Sequence, residues 1–142
     1  MVDSGASPAR ARAGFTLIEL VVVVLVLGIL AALALPRLDS ARERAHFSSI
    51  SQDFRNLGAA QERHFQANME YAQDLQVLDF SPSPGVQVEV TEATSDGWAA
   101  VGTHDALAGD QGCGIYLGEA QPPSLPNGSA HGSGDGVVAC TE

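Results

Sequence analysis

Lysine is absent from this 142-residue chain, and arginine stops at Arg63. From His64 onward there are eleven Asp and Glu residues and no Lys or Arg to balance them. An acidic half of this kind repels a phosphate backbone, so the sequence argues against nucleic acid as a partner of the C-terminal part. Cysteine is scarce, with only Cys113 and Cys140. The four histidines, His46, His64, His104 and His131, are scattered. On the sequence pattern, His46 and His64 fall on polar helix faces, His104 at a strand end and His131 in a flexible loop. No HExxH, CxxC or Gly-x-Ser-x-Gly pattern occurs. The glycines near Gly132 and Gly134 are loop composition rather than a phosphate cradle. Asp105, Asp110 and Asp135 are candidate calcium ligands, but nothing in their spacing requires the ion. The expectation is a chain with no catalytic set, no metal site and no cofactor.

What is there in strength is one apolar run. Phe15 to Leu35 has only Thr16 and Glu19 as polar residues. At about 1.5 Å per residue, it makes roughly 31 Å of helix, enough to cross a bilayer core. Val21-Val22-Val23-Val24 is poor helix material in water but acceptable in lipid, where a helix satisfies its own backbone. Glu19 is costly there unless paired. Arg10 and Arg12 precede the run, so the N-terminus is expected on the cytoplasmic side. Ala32-Leu33-Ala34 offers the cleavage site of an ordinary secretory signal. Against that stand the length of the run and its glutamate. Gly28 and Pro36 each weaken the helix, glycine by about 1 kcal/mol and proline by removing a hydrogen bond.

The stretch Gly14-Phe15-Thr16-Leu17-Ile18-Glu19 resembles the cleavage and methylation motif of type IV prepilins and type II secretion pseudopilins. Gly14 matches the residue before the cut, and Phe15 the new, methylated N-terminus. Glu19 matches the glutamate at the fifth mature position, and Pro36 the proline that closes the apolar segment. The close resemblance covers roughly residues 8 to 45. It implies a leader (residues 1–14) cut off by a prepilin peptidase, and pairing of Glu19 with the Phe15 amine of a neighbouring subunit. It also implies that the helix can lose order between Gly28 and Pro36 in a filament. A buried charge left unpaired costs several kcal/mol, so such a pair enforces register.

Beyond the apolar helix (15–35) the pattern turns amphipathic (36–67). Phe47, Ile50, Phe54, Leu57, Gln61 and Phe65 follow spacings of 3 and 4, with Asp53 and the arginines on other faces. The stripe reads as core against a sheet, in preference to a conductive aromatic ladder. A connection (68–85) ends at Ser81-Pro82-Ser83-Pro84-Gly85, and Tyr71, Leu75, Leu78 and Phe80 are expected to tuck under the head. Residues 86–142 read as an antiparallel head. Val86–Thr91 alternates, Ser95-Asp96-Gly97 turns, Trp98–Thr103 and Cys113–Leu117 follow, and Val137–Cys140 returns as a short edge strand or a pinned tail. Residues 118–136 read as a long surface loop. The fold class is α+β, a long N-terminal helix packed on a small antiparallel sheet. If the head lies outside the cytoplasm, a Cys113–Cys140 disulfide is the default; two free thiols are the alternative. Pilins similar to this chain close such a loop. Asn127-Gly128-Ser129 matches a glycosylation sequon, read here as chance.

The resemblance implies a structural filament subunit, a type IV pilin. It would wait as a single-pass protein in the bacterial inner membrane. An assembly ATPase and platform protein would then draw it into an extracellular homopolymer. A pseudopilin of type II secretion, or a minor pilin, shares the motif. A DNA receptor is disfavoured by the acidic head, and a secreted enzyme by the missing active site.

Overall fold

The computed structural model describes residues 14–141, the side chains of residues 35–38 excepted. Helix α1 runs Leu17–Asn68, 52 residues. The chain divides between Leu38 and Asp39 into two compact units, taken separately below. In the first, Thr16 and Glu19 start the helix, and Phe15 to Ala34 are exposed along their whole length. The backbone stays helical through Gly28 and Pro36. The single chain therefore shows no loss of helical order there. The glycine costs about 1 kcal/mol and the interior proline about 3, and the 52-residue helix is continuous across both in the single chain.

In the second unit, β1 (Val86–Ala93), β2 (Gly97–His104), β3 (Cys113–Gly118) and β4 (Ala139–Cys140) form one antiparallel sheet in that order. The hairpin β1–β2 pairs Val86 with His104 and Ala93 with Trp98, with a bulge between Val90 and Glu92. One sheet face meets the helix. Ile50, Phe54, Leu57 and Gln61 are fully buried there with Val90, Trp98, Ala100 and Ile115. Gly102 lets the layers approach. A Cβ at this position would lie 2.7 Å from Ile50 Cγ2 and 3.0 Å from Phe54 Cζ. The period-3/4 stripe and the period-2 strands thus meet as the sequence predicts.

Two buried polar side chains pin the connection between α1 and β1. The Gln61 amide donates to Ala72 C=O at 2.6 Å and accepts from Ala72 N–H at 2.8 Å. Asp53 is buried, not on an outer face as its polarity indicates, and accepts from Ser83 N–H and Ser83 Oγ at 2.7 and 2.8 Å. Burial is tolerable because the carboxylate keeps two donors. Leu78 is buried, and Tyr71, Leu75 and Phe80 pack against the core, as expected.

The second sheet face is covered by residues 119–138. Pro123, Leu125 and His131 are buried against it. Gly114 makes the room: a Cβ there would lie 3.0 Å from both Leu125 and Pro123. His131 is no loose loop residue, contrary to the sequence reading. Its Nε2 lies 3.0 Å from Gly114 C=O and its ring stands edge-on to Tyr116. Small residues on the outward sheet face, Ala99 and Gly114, would have signalled this cover. Cys113 and Cys140 are register partners and form a disulfide. The pairing extends one step further, through reciprocal bonds between Gly112 and Thr141.

Candidate assembly site at the helix N-terminus

Thr16 stands just before the first helical residue, Leu17, and Glu19 lies three residues on. This is the spacing of a capping box, in which each side chain satisfies a backbone donor of the other. The Glu19 carboxylate accepts from Thr16 N–H and from Thr16 Oγ1, both at 2.9 Å. Thr16 Oγ1 in turn accepts from Glu19 N–H at 3.3 Å. One carboxylate oxygen, Oε2, takes both contacts, and no bond to Oε1 is seen among the described residues. The glutamate is thus held within its own chain and still has acceptor capacity. The sequence reading singled out Glu19 and missed Thr16. The T-x-x-E spacing at a helix start was the available signal.

Around this cap every side chain is open. Phe15 is 83% exposed, and Leu17, Ile18 and Leu20 are exposed as well. A Cβ at Gly14 or at Gly28 would meet nothing within 4 Å. Among the described residues, packing requires neither glycine. The residues before Gly14, with Arg10 and Arg12, lie outside the described residues, as does the Pro36 side chain. The helix is long and apolar enough to cross a membrane.

Elsewhere, His46 and His104 come together, though the sequence reading kept them apart. His46 Nδ1 lies 3.2 Å from His104 Nε2, with ring centroids 4.0 Å apart. Ala106 N–H donates to His104 Nδ1, which assigns the proton to Nε2 and makes His104 the donor to His46. The pair joins α1 to the end of β2. Asp105 accepts from Gln87 and Asp135 from Gly118 N–H. Among the described residues no group of three or more His, Cys, Asp or Glu is placed to hold a metal ion.

Residues 9–35 match the family model for the prokaryotic N-terminal methylation motif. The chain is 39% identical over 70 residues to type II secretion system core protein G of Pseudomonas aeruginosa, covering 49% of each chain. It is 36% identical over 72 residues to the type IV major pilin protein PilA of Myxococcus xanthus, covering 51% of this chain and 33% of that one. To core protein G of Klebsiella michiganensis it is 32% identical over 104 residues, covering 71% of this chain and 72% of the relative. The match therefore spans about half the length of the first relative, a third of the second and most of the third. A methylation motif on an apolar helix, carried into a small disulfide-closed sheet, defines a pilin-like subunit. The chain belongs to the family of type IV pilins and type II secretion pseudopilins.

Proposed function

We propose that this chain is the structural subunit of a type IV pilus-like filament. A prepilin peptidase removes residues 1–14, Phe15 becomes the methylated N-terminus, and the exposed apolar helices pack together. One observation carries the reading. About twenty consecutive residues of an otherwise packed chain bury nothing, and their only carboxylate is already organised at the helix start. Before assembly that surface is covered by lipid, with the N-terminus on the cytoplasmic side and the head outside. In the polymer it is covered by neighbouring copies.

Glu19 and Phe15 then form the contact between copies. Cleavage creates a cationic amine next to Thr16. The second carboxylate oxygen of Glu19 is available to such an amine without loss of the capping bonds. Gly14 serves the peptidase, a role supported by the open space around it among the described residues. Gly28 gives a neighbouring helix a place for close approach, the use small residues have in membrane packing. An assembly ATPase and platform protein would supply the work of extraction.

The similarity to the Klebsiella michiganensis core protein G, over 72% of that chain, favours a second reading as a pseudopilin. Two measurements test these readings. Mass spectrometry of the mature protein is expected to find a methylated Phe15 at the N-terminus. A chain starting at Leu35 would instead mean an ordinary signal peptide and sink the filament reading. Electron microscopy of sheared surface fractions then separates the two uses. Abundant fibres containing this chain support the pilin, and their absence with intact processing supports the pseudopilin.

A further inference from the structure

We infer that the outward face of α1 between Arg44 and Gln66 is a docking surface for the acidic head of a second copy of this chain. The inference rests on the filament reading above. Arg44 and Arg55 lie about three turns apart and within about 20° of each other around the helix; Arg63 follows about 80° further on. All three are exposed. The stripe they form points away from the core line of Ile50, Phe54, Leu57 and Gln61, which is fully buried. Ala45, Ser48 and Ala59 lie on the same outward face and are exposed. The face is thus low in relief and cationic. Its one carboxylate, Glu62, is engaged by the Tyr71 hydroxyl at 3.1 Å.

Among the described residues these cations have no carboxylate counterpart in their own chain. Among the described residues the one ion pair is Arg42–Asp39, at 4.0 Å. Arg55 donates only to Gln52, and Arg44 and Arg63 have no hydrogen bond or ion pair there. The head, with the connection beneath it, carries the matching surplus. Glu70, Asp79, Glu89, Asp110 and Glu119 are exposed and equally without a partner among the described residues. Heads with no Lys or Arg repel each other when crowded. A neighbour's arginine stripe relieves that repulsion and selects a stem-to-head contact over head-to-head contact. The occupant is therefore another copy, whose carboxylates meet the stripe.

The missing lysine supplies the test. Arg44→Lys, Arg55→Lys and Arg63→Lys each place one side-chain amine in a chain that has none, with the charge kept. The full-length variants are treated in membranes and in sheared fibres with a zero-length carbodiimide. Covalent dimers are expected, with mass spectrometry mapping an amide from the introduced amine to a head carboxylate of another copy. Raising the salt to about 1 M shortens the screening length to about 3 Å and is expected to cut dimer yield about tenfold. Fibres that form without such intermolecular amides, or with amides only inside one copy, overturn the docking surface. Fibre formation by the unsubstituted chain reports on the filament reading separately. A processed chain that makes no fibres but still couples stem to head would overturn the filament and keep the contact.

Discussion

Gln61 and Asp53 act as fasteners between secondary elements, a role their residue types do not announce. Gln61 sits on the apolar stripe because Ala72 brings a backbone donor and acceptor into the core. Without that amide, both backbone groups would be buried and unpaired, at about 1–3 kcal/mol each. Periodicity placed Gln61 correctly and could not name its partner, which lies eleven residues away beyond the helix end. Tyr71 is next along. It stacks on Phe65, with centroids 4.7 Å apart, and donates to Glu62. Burial first, then the Glu62 carboxylate as acceptor and as charge, raises its phenol above the ordinary value near 10. A raised value in the folded state means that folding favours the protonated phenol. That contribution is complete below the unfolded value and is lost as pH rises through the folded one. Urea midpoints between pH 8 and 11 are therefore expected to fall more steeply for the wild type than for Tyr71→Phe. Parallel declines would remove the Tyr71 contribution.

At the scale of elements, the helix and the first three strands were legible because each has a strong period. Periodicity predicts a helix to about Ala67, and it runs to Asn68; alternation predicts a first strand to Thr91, and the strand continues past a bulge to Ala93. A bulge depends on cross-strand register, which a single strand does not carry. The Pro, Gly and Ser content of residues 118–136 predicts a surface loop. Pro123, Leu125 and His131 nevertheless form a third layer over β3. The disulfide holds that layer in place at its far end. Cys113 and Cys140 are separated by 27 residues. On the chain-entropy account, a loop of that length contributes about 3–4 kcal/mol. Cys113→Ser with Cys140→Ser is expected to lower unfolding free energy by about that amount in denaturant titrations. A loss below about 1 kcal/mol would mean that the Gly112–Thr141 bonds and the loop packing already restrict the chain.

At the scale of the whole molecule, the capping box refines the expected behaviour of Glu19. In its own chain the carboxylate is partnered, so the monomer in the membrane need not carry a bare charge. Glu19→Ala is expected to leave membrane insertion intact and to abolish fibre yield. Glu19→Gln separates the two roles. Its amide oxygen can still accept from Thr16, so the cap survives, but it cannot pair with a cationic amine. Fibre loss in both variants, by electron microscopy of sheared fractions, supports charge pairing between copies. Full yield in Glu19→Gln would leave capping as the whole role of the side chain.

The sequence alone determined the apolar helix, the motif at its start, the first three strands and the acidic head. Each is a local pattern of residue types, and local patterns need no partner to be recognised. Tertiary structure decided what depends on residues distant in the chain: the burial of Asp53 and His131, the meeting of His46 with His104, and the loop that closes the outer sheet face. It also showed which charges remain without partners among the described residues. Pairing is a property of three-dimensional neighbours, so the unmatched arginines of the helix and carboxylates of the head became visible only there.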